Sequence, residues 1–346
     1  MSKPRITIKD IAKELKISTS TVSRALTDKW DVNPETRKAV LELAEKFNYK
    51  PNPISQNLKR KESRFVGVVV PEFINSFFSE VIIGIQSVLE PEGYLVLVTQ
   101  SNESYENERK NIKALEERMV DGLIVSVTQE TQNADCFNYL VENNIPLVFF
   151  NRICPTISTS HVIIDDYKWA YKAVEHLIKQ GYKRIAHLMG PENLLVSKKR
   201  KEGYLTALKD YSLEINEELI IPCGIMMESG VVAAYKILEM PALPDAIFAV
   251  NDPVAIGAMK TLQKHGKRIP EDVAIVGFSE SKMAMIIEPN LTSVEQPTFE
   301  MGRMAAELLL EQVNSNKDDK CYAKSIILDG QLNIRESSIS KQLTSK

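Results

Sequence analysis

Four side chains on one short helical stretch carry the first chemistry legible in this chain. Thr19, Ser20, Ser23 and Arg24 lie within residues 19–26, where Val22, Ala25 and Leu26 take the inward positions of a helical repeat and leave those four outside. Hydroxyls that donate and accept, beside a guanidinium with a fixed fork of N–H groups, suit the edges of base pairs and the oxygens of phosphates. A plain three-helix bundle with a polar face would give the same pattern, and charge favours the DNA reading. Residues 1–64 hold fifteen Lys and Arg against eight Asp and Glu, a net of +7; the remainder holds 28 against 38, a net of −10. The formal charge of −3 thus conceals a basic head on an acidic body. A basic head binds phosphates through counterion release, which makes the binding salt-dependent.

A second set of candidates recurs at the ends of apolar runs. Phe77 and Phe78 follow the run at 65–70, Asn151 and Arg152 follow 146–150, Asn251 and Asp252 follow 246–250, and Ser279 follows Gly277-Phe278. Arg200 is expected to open a helix after the Gly190-Pro191 loop. Planar polar groups with aromatic faces are what hold hydroxyl-rich ligands. Arg200 suits a carboxylate or phosphate, and equally the paired hydroxyls of a neutral sugar. Each has a structural reading as well: Phe77 as core, Arg152 as a solvated loop charge, and Asp252, with Pro253 after it, as a helix cap.

Other chemistry has little support. Cys136, Cys154, Cys223 and Cys321 are scattered singly, and His161, His176, His187 and His265 are isolated, so no metal-ligand spacing arises. His176 and His187 read as packing residues. Neither a glycine-rich phosphate loop nor a G-x-S-x-G elbow occurs. Asp165-Asp166 opens a helix, where acidic side chains favour the dipole. No catalytic residue, metal or cofactor is expected. No stretch has the length and apolarity of a membrane span, and no signal peptide precedes Thr7, so a cytoplasmic location is expected.

The elements that would position these residues can be read in order. Thr7 and Asp10 have capping-box spacing, and Ile8, Ile11, Ala12 and Leu15 share one face of the helix that follows. Ser18 is the expected cap of the second helix, and Asn33-Pro34 starts a third with Val40, Leu43, Ala44 and Phe47 as its core stripe. Lys16 falls in the intervening turn. Tyr49 to Pro53 stops the third helix, and residues 54–61 are too short and polar for a helix stable alone in water. That segment reads either as a basic linker or as one that folds only on DNA. Beyond it, apolar runs at 65–70, 94–98, 123–127, 146–150, 161–164, 185–188, 246–250 and 273–277 alternate with amphipathic stretches such as 78–90, 106–119, 167–180, 197–210 and 253–265. Such alternation predicts parallel sheets covered on both faces, with ligands at the carboxyl ends of the strands.

The run TIKDIAKELKISTSTVSRAL, the VNPETRKAVLELAEKFNYKPNPISQNLKRKES segment after it and the T-x-x-D-I-A and Y-x-P-N motifs within them resemble the DNA-binding head of the lactose/galactose repressor (LacI/GalR) family. The segments VGVVVPEFINSFFSEVIIGI, MVDGLIV, EHLIKQGYKRIAHLMGP, AIFAVNDPVAIGAM, IPEDVAIVGF and LTSVEQPTFEMGRMAAELLL extend the resemblance to the family's sensor. The resemblance implies a small all-α helix-turn-helix domain at 1–62, with a hinge at about 51–62, and an α/β two-lobed periplasmic-binding-protein-like effector and dimerisation domain at 63–346. One lobe would take about 64–164 and 295–323, the other about 165–294 and 324–340, the chain crossing three times. Thr19, Ser20 and Arg24 stand where the family reads bases and Ser23 where it touches phosphate; Thr7 belongs to the same DNA-binding set. In the hinge, Leu58 corresponds to a wedge pushed between base steps, and Ser55 stands where the family commonly has alanine. Asn151, Arg200, Asn251, Ser279 and Gln296, with Phe77 and Phe78, resemble the effector site. The family usually has aspartate at Ser279 and often an aromatic at Ile225, and it usually has glycine at Lys16.

The expectation is therefore a homodimeric repressor of a palindromic operator, controlled by a small carbohydrate-derived effector between the lobes. Activation of DNA binding by a corepressor or a partner protein is the rival within that class. A sugar-binding transport protein is the rival outside it, disfavoured by the basic head.

Overall fold

The computed structural model describes residues 6–27, 32–49, 62–74, 76–315 and 322–339. They form two compact units that divide after Ser63. Ser55 and Leu58, the two hinge residues of the sequence reading, lie outside the described residues.

The head holds α1 (Ile8–Glu14), α2 (Thr19–Leu26) and α3 (Pro34–Lys46). Ile11, Ala12, Val22, Ala25, Val32, Val40 and Ala44 are its buried core, with Leu15, Ile17, Leu26 and Phe47 packed around them. The turn after α1 is a Schellman closure: Ile17 N–H reaches Ala12 O at 3.1 Å and Lys16 N–H reaches Lys13 O at 3.3 Å. Closing it needs a left-handed residue, and Lys16 has φ 53°.

The body is two six-stranded sheets. The first has β1 (Phe65–Val70), β2 (Leu95–Gln100), β3 (Gly122–Val125), β4 (Leu147–Phe150) and β5 (Ser160–Ile164), joined at one edge by β11 (Ser325–Leu328) in the order β11-β5-β4-β3-β1-β2. The second has β6 (Ile185–Met189), β7 (Ile220–Pro222), β8 (Ala246–Ala249), β9 (Ala274–Phe278), β10 (Thr292–Glu295) and β12 (Gln331–Asn333), ordered β12-β10-β9-β8-β6-β7. Pairing is parallel throughout except between β10 and β12. Strands β3, β4, β6, β8 and β9 are buried along their whole length, as expected of sheets covered on both faces.

Helices α4 (Ser76–Leu89), α5 (Tyr105–Glu117), α6 (Asp135–Glu142) and α11 (Thr298–Asn314) belong with the first sheet; α7 (Asp166–Lys179), α8 (Leu195–Asp210), α9 (Met227–Leu238) and α10 (Asp252–Lys264) belong with the second. Helices α7 and α8 meet at backbone contact: a Cβ on Gly203 would lie 2.4 Å from Tyr167 O. The chain passes between lobes after β5, after β10 and after β11. This corrects the sequence division at 324, because Ile326↔Val162 and its neighbours pair β11 with β5 of the first lobe, and the last crossing falls between Leu328 and Gln331. Among the described residues, no helix is long and apolar enough to cross a membrane.

Candidate functional site

Helix α2 presents its polar face as the pattern required. Thr19, Ser20 and Arg24 are exposed, Ser23 is half-buried, and Val22 and Ala25 are buried beneath them. Ser18 caps the helix, its hydroxyl accepting from Thr21 N–H at 3.0 Å and lying 2.6 Å from Ser20 Oγ. Thr7, at the start of α1, bonds Asp10 Oδ2 through its amide (2.8 Å) and its hydroxyl (2.7 Å), and those bonds hold the Asp10 carboxyl below its ordinary value. Thr7 therefore has a capping role and remains exposed.

In the body, one cleft is lined by Phe77, Phe78, Asn151, Arg152, Leu194, Val196, Arg200, Ile225, Val250, Asn251, Pro253, Ser279, Ser281 and Gln296. All seven effector residues of the sequence reading converge there. Phe77 and Phe78 start α4, edge to face at 5.1 Å between centroids, and Phe78 also meets Phe150. They are core and cleft wall at once. Asn151, directly after β4, has φ 55°, and Ser279, directly after β9, has φ 112°. Two non-glycine residues in costly backbone conformations thus face one cavity, the sort of strain that gathers at binding sites.

Arg200 sits in the second turn of α8, which begins at Leu195, and not at the mouth of a helix as the sequence suggested. It is enclosed, with Nε 2.8 Å and Nη2 2.7 Å from Asp166 Oδ1, Nη1 donating to Val250 O, and its plane 3.6 Å from the Phe278 ring centroid. Burial raises the Asp166 carboxyl, with Arg200 opposing the shift. Asp165, not Asp166, caps α7, accepting from Lys168 N–H at 2.9 Å. Arg152 is likewise no solvated loop charge: it is buried, its Nη1 is 2.8 and 3.1 Å from the oxygens of Glu103, and it lies over Phe78. Behind Glu103, buried Glu108 accepts from Thr128 N–H (2.9 Å) and Thr131 Oγ1 (2.8 Å), and desolvation pushes it up to about 7.

Asn251 replaces Asp252 as the cap of α10. Its Oδ1 accepts from Val254 N–H at 3.0 Å and its Nδ2 donates to Ile225 O at 2.8 Å. Asp252, fully buried, accepts from Ser293 Oγ (2.6 Å) and Ser281 N–H (2.5 Å), with burial raising it to about 6. Gln296 donates from Nε2 to Ser279 Oγ at 3.1 Å, while its enclosed Oε1 has no partner among the described residues. His187, stacked against Tyr204 and Phe248, and His176, bonded to Ser338 Oγ, are packing residues as expected.

Leu194, Val196, Val250 and Ser281 had not been singled out, and Pro253 had been named only beside the expected cap. Leu194 and Val196 follow the Gly190-Pro191 loop, which the sequence reading placed before the Arg200 helix, so only their neighbourhood was signalled. Both join an apolar cluster with Val127 and Ile157 of the first lobe. Asn193 Nδ2 donates across to Gln129 O, and on the other flank Lys282 Nζ lies 3.4 Å from Glu80 Oε1. The two lobes therefore close on the cleft from both sides.

Comparison with known proteins agrees with this geometry. Residues 63–328 match the family described as periplasmic binding proteins and sugar binding domain of LacI family, and residues 7–52 match bacterial regulatory proteins, lacI family. The chain belongs to the LacI family. It is a DNA-binding transcriptional regulator, with a helix-turn-helix head and a two-lobed periplasmic-binding-protein-like body. The HTH-type transcriptional repressor CytR of Escherichia coli (strain K12) is 33% identical over 332 residues, covering 96% of each chain. The HTH-type transcriptional repressor PurR of Vibrio cholerae serotype O1 (strain M66-2) is 33% identical over 317 residues, 91% of this LacI-family chain and 93% of that one. Among solved structures, a transcriptional regulator CelR-cellobiose complex superposes with TM-score 0.72 at 29% identity, covering 96% of this chain and 100% of the other. A Lac repressor dimer bound to operator matches with TM-score 0.81 at 23% identity over 98% and 100% of the chains, a likeness of fold.

Proposed function

We propose that this chain is a cytoplasmic homodimeric repressor of a two-fold symmetric operator, and that a small molecule held between its lobes changes operator affinity. The observation that carries the reading is the convergence of Phe77, Phe78, Asn151, Arg200, Asn251, Ser279 and Gln296, drawn from both lobes, on one cleft. Support comes from relatives whose names point to small molecules: the cellobiose complex above, and the ribose operon repressor of Halalkalibacterium halodurans, 32% identical over 317 residues.

Thr19, Ser20 and Arg24 read base edges from α2, and Ser23 meets the backbone. Thr7, whose visible bonds are those of a cap, belongs to the DNA-contacting surface by resemblance, and Leu58 with Ser55 serves the minor groove. One short recognition helix covers too few base pairs alone, so two copies read two half-sites; helices α4 and α5 are the proposed pairing surface. The ligand acts by favouring one arrangement of the lobes, and it shifts DNA binding only by its differential affinity for the two arrangements, typically 1–3 kcal/mol. The activity is binding and not catalysis.

The test is fluorescence anisotropy of the full chain on DNA selected from a random pool, with free sugars, phosphorylated sugars, sugar acids and purines added in turn. A compound that changes affinity about 5- to 150-fold supports the reading. Its direction separates inducer from corepressor. Selected DNA without two-fold symmetry, or a monomer by light scattering on that DNA, contradicts the dimer.

A further inference from the structure

We propose that this cleft takes an uncharged ligand, one carrying hydroxyl or N–H donors and no phosphate or carboxylate, because Asp166 and Glu103 already hold the charges of Arg200 and Arg152. The proposal rests on the cleft being the effector site and names the chemistry of its occupant.

Among the described lining residues only two are cations, and each is matched by its own buried carboxylate: Arg200 by Asp166 at 2.7 Å, Arg152 by Glu103 at 2.8 Å. A guanidinium has five N–H groups. Arg200 commits three of them, two to Asp166 and one to Val250 O. What remains for a ligand is a pair of directed donors without net charge behind them. A further carboxylate, Asp252, lies behind the loop at Ser281 and adds negative potential. The rest of the wall is apolar, as at Leu194, Val196, Ile225 and Val250, or polar and neutral, as at Asn151, Asn251 and Ser279, so an anion entering here would leave water for a site with no unmatched positive charge.

Gln296 points the same way. Its carboxamide oxygen is enclosed, the residue being 4% exposed, and has no partner among the described residues. A buried acceptor needs a donor. A ligand hydroxyl or N–H supplies one, so the group that meets Gln296 is a donor and not an ionised oxygen. Phe77 and Phe78 add an aromatic wall to the same cleft.

The experiment is calorimetric titration of inorganic phosphate into the full-length protein, in chloride-matched buffer, for wild type, Asp166→Asn and Glu103→Gln. Wild type is expected to show no binding. Each folded variant is expected to gain at least tenfold in phosphate affinity, since an amide in place of the carboxylate leaves its arginine's charge unmatched. Asp166 lies beside the close contact of α7 and α8, so Glu103→Gln on the other lobe carries the test if Asp166→Asn does not fold. Phosphate binding by wild type as tight as by the variants overturns the proposal, as does a folded Glu103→Gln that gains nothing. In the effector panel, an active sugar phosphate or sugar acid also overturns it, and an active neutral compound supports it. A panel with no active compound counts against the effector reading, and the phosphate titration still reports on the charge of the cleft.

Discussion

Thr19, Ser20 and Arg24 stand in solvent on a helix whose core lies entirely on its other face, whereas Arg200 and Gln296 are enclosed, Asn251 is half-buried, and all three are already bonded to the protein that holds them. A DNA surface is presented outward, where a partner can meet it. A cleft for a small molecule is assembled in advance, its donors fixed by second partners such as Asp166 and Glu103. Residues of the first kind can be replaced at little cost to folding; residues of the second kind serve the fold and the ligand together.

The largest expected effect lies on the enclosed side. Arg200→Ala leaves Asp166 buried without its partner, and loss of a buried pair costs about 3–5 kcal/mol. Urea unfolding of the body should show it, and a variant within about 0.5 kcal/mol of wild type would place Arg200 with the exposed residues. The buried carboxyls give the next effect. Glu108 is raised to about 7 and Asp252 to about 6, so the folded state keeps protons that the unfolded chain has released. Their contribution is present at low pH and is lost as pH rises through those values, on the order of 3 kcal/mol for each group. Glu108→Gln should flatten the fall in stability between pH 4.5 and 7.5 that wild type shows; an unchanged slope would remove Glu108 as its source.

On the exposed side the effects are smaller and fall on binding. Arg24→Ala should weaken operator affinity by about 1–3 kcal/mol while leaving unfolding within about 0.5 kcal/mol of wild type. Full operator affinity in the variant would take Arg24 off the DNA surface. Smallest is Lys16→Gly: relieving a left-handed lysine should stabilise the head by up to about 1 kcal/mol, read as slower amide hydrogen exchange along α1 and α2. Faster exchange would show that Lys16 makes contacts worth more than its strain.

The same contrast explains what the sequence disclosed. Capping at Thr7, Ser18 and Asn33, the turn at Lys16 and the inward stripe of α2 are all settled within a few residues, and each was legible. The fully apolar strands were legible too. Strands β7, β10, β11 and β12 were not, being three or four residues long and, in β11 and β12, half exposed. Without β11 as a strand, the third crossing was set too early. Strand-end position placed the seven effector residues on one cleft, yet it said nothing of their partners. Asp166 and Arg200 are 34 positions apart and Glu103 and Arg152 are 49 apart, and no local pattern links them. Asn251 and Asp252 both suit a cap, and only Ser281 and Ser293, brought close by the fold, explain why Asp252 turns inward.

Operator affinity with and without the active effector, measured by anisotropy for wild type, Arg24→Ala and Gln296→Leu, tests the division of labour most directly. Arg24→Ala should weaken binding in both conditions and keep the fold-change that effector produces. Gln296→Leu should bind operator as wild type does without effector and lose most of the fold-change. A full response in Gln296→Leu, or loss of the response in Arg24→Ala, would contradict the assignment of DNA reading to α2 and effector binding to the cleft.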